Sequence, residues 1–260
     1  MRKVYLLLLT LLVSGLNTNV FAQFSIGAGW TMINHAYKYT YDSDQTMEEY
    51  TQTYHGFSIT VMYDCSVASG KWGNVILQPG MMYSMFTKKF STVYTYNEQL
   101  IDLPISLKYS YEFQPDVFGV YLFAGPVLSF GIHAKETYRM VVPPEESEEG
   151  RYYIRTVRQN LYNGEIIYKR LYLNGDKITA RYNPGLLDPI RNDMSDVRMK
   201  KFDLKIGVGI GLTIIDVIDL RFGYNVGMLK IWDGTFEDGE DTVHESMKSD
   251  VLYCGLAFRF

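Results

Sequence analysis

Apolar residues alternate with small or ionic ones at a period of two in eight separate stretches of the chain. This period places one residue set on each face of a β-strand. The first stretch sets Phe24, Ile26, Ala28, Trp30 and Met32 against Ser25, Gly27, Gly29 and Thr31. The second covers about residues 56–63. The third, about 74–86, is interrupted by Pro79-Gly80, which predicts a kink or bulge. The fourth (100–111), fifth (118–132), sixth (202–214) and seventh (218–228) alternate more regularly, and the eighth runs from Val251 to the terminal Phe260.

The less apolar face is the informative one. It carries Asp102 and Lys108 in the fourth stretch, Asp203 and Lys205 in the sixth, Asp219 and Arg221 in the seventh, and Arg259 in the last. Gly207, Gly209 and Gly211 share it, and at this period they fit a strand, not a phosphate-binding turn. A soluble strand hides its apolar face and shows charge to water. A small-residue face holding both signs of charge suits instead the narrow lumen of a barrel whose apolar face meets lipid. The predicted fold is therefore all-β: an eight-stranded antiparallel up-and-down transmembrane β-barrel with long external loops. Asp102, Lys108, Asp203, Lys205, Asp219, Arg221 and Arg259 form its expected lumen charge network, with Asp219 and Arg259 the expected pair. Unpaired charge in so narrow a space is costly. Phe258 and Phe260, on the lipid side of the last strand, are the expected C-terminal signal for the barrel-assembly machinery.

The connections support this independently. Those at 33–55, 87–99, 133–200 and 231–249 are long, and those at 64–73, 112–117 and 215–217 are short. Long external loops and short periplasmic turns are the habit of bacterial outer-membrane barrels. A soluble lipocalin-like barrel, polar outside and apolar inside, is the competing fold. The connection 133–200 is too long for a bare loop. It holds Pro143-Pro144, the acidic run 145–149, and two turn signals, Asn163-Gly164 and Asn174-Gly175, flanked by β-type composition. A solvent-exposed β-hairpin extension is expected there, and a ten-stranded barrel is the alternative.

The N-terminus adds a compartment. Arg2 and Lys3 precede an apolar run from Val4 to Val13, and Phe21-Ala22-Gln23 offers a cut after Ala22. Residues 1–22 read as a secretory signal peptide and 23–260 as the barrel. No later run approaches the about 20 apolar residues of a helical span. Tyrosine is abundant, 22 residues, and is expected at the membrane–water boundary, where its ring is buried and its hydroxyl wet. The net charge of −4 argues against a nucleic-acid partner, which calls for a clustered basic surface. Cys65, expected in a periplasmic turn, and Cys254, expected mid-strand facing lipid, are placed too far apart for a disulfide.

Candidate chemistry is thin. A hydrolase at the external rim would need a nucleophile, a base and an orienting group. Ser129 and His133 share parity and are expected to face the lumen together. His35, His55 and His244 fall in loops or at strand ends. Asp233, Glu237, Asp238, Glu240 and Asp241 make an acidic loop, without EF-hand spacing, that reads as a solvated surface before a calcium site. No cofactor motif is present.

Leu103-Pro104-Ile105-Ser106-Leu107-Lys108-Tyr109, the glycine-rich first strand, Gly125-Pro126 and the terminal Arg259-Phe260 together resemble the PorT-like outer-membrane β-barrel family of Bacteroidetes-type bacteria. The resemblance covers the strand segments and not the long third loop. It implies an outer-membrane location and an eight-stranded barrel. The functional expectation is a non-enzymatic barrel in outer-membrane lipid with a closed lumen. Its external loops, 133–200 above all, would contact an envelope or surface-polymer partner. An envelope hydrolase and a small pore are the alternatives.

Overall fold

The computed structural model describes residues 22–42, 47–89, 93–114, 117–142, 152–172, 177–182, 198–238 and 241–260. Its strands are β1 (Ala22–Tyr41), β2 (Met47–Gly70), β3 (Gly73–Lys89), β4 (Tyr94–Gln114), β5 (Phe118–Val142) and β6 (Tyr153–Asn160). They continue as β7 (Ile166–Tyr172), β8 (Lys177–Tyr182), β9 (Phe202–Ile214), β10 (Ile218–Gly227), β11 (Trp232–Asp238) and β12 (Asp241–Arg259). No helix among the described residues is long and apolar enough to cross a membrane, which leaves crossing by strands untouched.

Eight strands close into a ring. The order β4-β3-β2-β1-β12-β10-β9-β5 is completed by pairing of β4 with β5, and every ladder is antiparallel. All eight predicted segments lie in these strands. β1 pairs with β12 from Ser25↔Arg259 to Tyr41↔Val243, so the first and last strands seal the wall. A closed ring leaves no unpaired edge in lipid, the condition for a sheet to span a membrane.

The two faces separate as the alternation requires. Ile206, Val208 and Ile210 are exposed on the outside, while Asp203, Lys205, Asp219 and Arg221 are buried on the inside. Trp30, Phe57, Phe130 and Phe202 stand exposed at the external end of the apolar belt. Tyr109, Tyr111, Phe113 and Phe260 stand at the periplasmic end. These are the two aromatic girdles of an outer-membrane-type barrel. Phe258 and Phe260 project outward as expected.

Several local expectations change. The strands are longer than the lipid-facing alternation, because the outward face turns polar at Asn34, Thr53 and Asn97 while backbone pairing continues. The stretch expected as a loop over 33–55 is mostly strand, with Ile33↔Tyr54 through Thr40↔Met47 paired. At the other end β2 and β3 meet in a tight turn at Lys71-Trp72, so Cys65 lies in a strand. Both cysteines are free. The register on each side of Pro79 is unchanged. The irregularity lies at Ser66/Ala68 instead.

The connection 133–200 divides into parts. Residues 133–142 prolong β5, whose upper half leaves β9 and pairs with β6. β7 and β8 then extend the sheet outward. The extra strands thus add to the wall above the membrane and not to the spanning ring. Asn163-Gly164 forms the β6–β7 turn, with Gly164 at φ +70°, a left-handed conformation that glycine adopts without steric cost. Asn174-Gly175, the acidic run 145–149 and residues 1–21 lie outside the described residues.

Candidate functional site: a tyrosine cup above a filled lumen

At the periplasmic end Asp64 is the hub of the lumen. Its carboxylate lies 2.9 Å from Lys108 Nζ and 3.5 Å from Arg259. It also accepts a hydrogen bond from Gln78 Nε2. Arg259 further reaches Asp216, at 3.3 Å in the β9–β10 turn, and Gln23. The expected pair of Asp219 and Arg259 is therefore not formed. Asp219 instead accepts the hydroxyl hydrogen of Tyr121, whose ring reaches over Gly211 of the intervening strand β9. Asp64, absent from the expected network, lies on the inward parity of β2, because that strand continues through the expected turn at 64–73.

The middle of the lumen is filled by rings and cations. Arg221 donates to Gln78 Oε1 at 2.5 Å and lies 3.7 Å over the Phe123 ring, and Lys108 lies 4.2 Å over that of Tyr121. A Cβ on Gly209 or Gly211 would collide with Phe123 or Tyr121, so the lumen glycines are the spaces these rings occupy. Above them Asp102 and Lys205 approach to 3.9 Å, both fully buried. Asp203 accepts from Ser249 Oγ and from the Leu229 amide, each at 3.2 Å. The structure brings all seven predicted lumen residues inside the barrel, in three groups and not one network.

An external plug lies above these charges. Leu161, Tyr162, Met199 and Ile231 join Ile33, Tyr54, Phe86 and Tyr96 in one buried apolar cluster. The β6–β7 turn delivers the first two, held by Leu161 N–H to Ala134 O at 2.9 Å and Met199 N–H to Leu161 O at 2.9 Å. Within the cluster Glu98 accepts from Tyr96 at 2.9 Å and contacts His35 Nε2 at 3.0 Å. The other ring nitrogen of His35 faces Met247 Sδ at 3.1 Å.

Over the plug the extended strands enclose a cavity of about 560 Å³ open to the outside. Six tyrosines line it: Tyr37, Tyr39, Tyr50, Tyr94, Tyr96 and Tyr138. They are joined by Trp232, Glu136 and Glu245, among other residues. Six of the 22 tyrosines expected at the lipid boundary are thus found here, above it, while Tyr109 and Tyr111 stand in the periplasmic girdle. Tyr37 and Tyr50 stack with centroids 4.6 Å apart, and Tyr50 and Tyr39 at 5.7 Å. Glu136 accepts from Tyr94 at 2.7 Å and from Tyr138 at 2.9 Å. Glu245 accepts from Tyr39 at 2.7 Å and from Trp232 Nε1 at 3.0 Å. Burial, reinforced by hydrogen bonding to Tyr50 and Glu245, pushes the Tyr39 hydroxyl far above its ordinary range. Burial with the nearby Tyr54, Tyr50, Glu136 and Glu245 does the same to Tyr37. These tyrosines are neutral donors. A sequence signal existed: Tyr37 and Tyr39, Tyr50 and Tyr54, and Tyr94 and Tyr96 repeat at period two, in the lumen parity of their strands.

The histidines do not assemble a site with Ser129. The ladder shifts where Leu100 pairs with Gly131 but Gln99 with His133, leaving Ile132 as the extra residue. That bulge reverses parity. Ser129 is buried inside, and His133 stands beside outward-facing Gln99, its basicity lowered by partial burial and by Lys135. His55 stacks on Trp30 at 5.6 Å outside. Thr235, His244 and Asp42 form a row at 3.3 and 3.2 Å. His244 and Asp42 are more than half exposed, which is not the sheltered setting of a catalytic base. Asp233 pairs with Lys230 at 3.5 Å. The side chains of Glu237, Asp238 and Asp241, and all of Glu240, lie outside the described residues. Among the described residues no three His, Cys, Asp or Glu side chains converge as a metal would need.

No family model matches the sequence, and no curated protein matches it. Among solved structures the chain is similar to Ail, the attachment invasion locus protein of Yersinia pestis, at 10% identity over 92% of this chain and 99% of that one, with TM-score 0.36. It is similar to Neisserial surface protein A at 13% identity over 91% and 97%, with TM-score 0.36. It is similar to the outer membrane protein OprG from Pseudomonas aeruginosa at 9% identity over 93% and 97%, with TM-score 0.43. At that level the likeness concerns fold alone. The closed ring, the apolar belt between aromatic girdles and the charged interior make this chain a small outer-membrane β-barrel in their own right.

Proposed function

We propose that the protein is a non-conducting, non-enzymatic outer-membrane barrel that holds a ligand in its external cup. The observation that carries this is the contrast along the barrel axis. Side chains fill the lumen from Arg221 and Gln78 up to Tyr162, above a smaller periplasmic cavity, whereas the external cavity is open and lined by hydrogen-bonding aromatics. An eight-stranded lumen has space for side chains and no more. The working surface is the whole mouth, to which residues 133–200, the segment expected above all others to make contacts, contribute Glu136, Tyr138, Gln159, Leu161 and Met199. An envelope or surface-polymer partner would reach the protein at this mouth.

Planar-bilayer recording tests the closed lumen. The purified protein is expected to give no steady single-channel steps, and regular steps would replace binding by a pore.

The finer family placement belongs to the same proposal. Leu103–Tyr109, Gly125-Pro126 and Arg259-Phe260 support a PorT-like relationship, without extending it to secretion. Residues 1–22 would be removed on export and Phe258 and Phe260 read by the barrel-assembly machinery. Terminal sequencing of the membrane-inserted form should then start at Gln23, and retention of Met1 would refute the cleavage.

A further inference from the structure

We infer that the cup takes an organic cation, an alkylammonium group carried on an aliphatic chain. The inference rests on the binding role proposed above and names its ligand chemistry. Among the described residues the cup lining holds two carboxylates, Glu136 and Glu245, and neither lysine nor arginine. The carboxylates come from β5 and β12, on separate parts of the wall, so a ligand with two cationic ends can meet both. Each accepts two hydrogen bonds from aromatic donors, which fixes its orientation. A carboxylate has about four lone-pair sites, so each retains acceptor capacity. Burial keeps the tyrosine hydroxyls protonated, and they supply no competing charge.

The rings complete the chemistry. The stacked slab of Tyr37, Tyr50 and Tyr39 on one side, and the pair Tyr94 and Tyr138 with centroids 4.7 Å apart on the other, present aromatic surface to the methylenes and to the charge. Cations are attracted to ring faces by the aromatic quadrupole. The molecule already uses this contact beside the cup, level with Tyr96, where Lys88 Nζ lies 5.5 Å over the Tyr54 ring while donating to Thr53 O at 2.9 Å. Of the other described charges, Lys88 stands opposite the lining residue Tyr96 with its ammonium turned to Tyr54 and Thr53 O, outside the lining itself. Glu98 and His35 are paired beneath it, and Arg155 and Arg170 lie further along the β6–β7 extension, with Arg170 over Tyr153 at 5.3 Å. An anionic ligand would meet two fixed negative charges. A neutral sugar would leave both unneutralised.

The test is titration of the full chain in detergent micelles with spermidine at constant ionic strength. It is read by calorimetry and by the fluorescence of Trp232, whose indole donates to Glu245. Saturable binding is expected. The Glu136→Gln, Glu245→Gln double variant, checked for an unchanged heat-modifiable band, should weaken it by about tenfold or more. Tyr50→Leu should weaken it while leaving both carboxylates. Displacement of spermidine by trilysine would assign the ammonium to a peptide side chain. Failure to displace it would assign a free polyamine, and either supports the cation. Absent saturation, equal affinity in the double variant, or equal binding of magnesium chloride overturns the inference. Saturable binding of maltose without spermidine also overturns it and leaves the binding barrel standing. Steady channel steps are what would remove the binding barrel itself.

Discussion

The ring of Tyr162, at the tip of the β6–β7 turn, occupies the space that a side chain on Gly131 of β5 would need. The missing Cβ is what lets an external turn reach into the barrel mouth, and Leu161 and Met199 follow it into the plug. Gly131→Val is therefore expected to expel the ring. Overfilling a packed site typically costs about 1–3 kcal/mol. Limited trypsin digestion should cut faster at Arg158 and Lys169 in the variant. Identical digestion would mean the turn does not seat there.

Asp64 holds Lys108 and Arg259 together, all three largely buried at the head of a periplasmic cavity of about 280 Å³. Removing one member of a buried charge group costs about 3–5 kcal/mol, because it strands the others. Asp64→Asn should lower the urea midpoint of the barrel in lipid vesicles by an amount in that range. Adding Lys108→Met should restore part of it. A double variant no better than the single would show that Lys108 is not stranded.

Val208 points to lipid from the middle of β9, with Gly209 beside it facing the lumen. Arginine at a lipid-facing midplane position costs about 2–4 kcal/mol, falling to near zero at the interface. Val208→Arg should destabilise the folded barrel by that amount in vesicle refolding, and Thr51→Arg, above the belt on β2, by almost none. Equal effects would place the belt elsewhere.

The cup tyrosines set an alkaline limit. Burial raises the Tyr37, Tyr39, Tyr94 and Tyr138 hydroxyls above their unfolded value. A raised folded value means stability that is fully present below about pH 10 and lost as pH climbs above it. Phenolate absorbance at about pH 11 should report fewer ionised groups than the 21 tyrosines that remain of 22 once Tyr5 leaves with residues 1–22. Further alkali should release the remainder together with a change in Trp232 fluorescence. Full ionisation at the free-tyrosine value, without a structural change, would remove the burial.

Parity along each strand was legible in the sequence, because a two-residue period needs no tertiary information. It placed Asp203, Lys205, Asp219 and Arg221 inside, and Phe258 and Phe260 outside. It also ran on past the lipid belt in Tyr37 and Tyr39 and in Tyr94 and Tyr96, although nothing local shows that these segments stay paired above the membrane. Only the tertiary structure decided which lumen charges meet. Arg259 turns to Asp64 and Asp216, and Asp219 to Tyr121, because partners on nearby staves are fixed by ring order and side-chain reach, which sequence separation does not encode. Likewise one extra residue at Ile132 sends His133 away from Ser129. A bulge is a property of two strands in register, so neither strand announces it alone. The plug needs Gly131, Leu161, Tyr162 and Met199 at one point in space. Closing the ring brought them there.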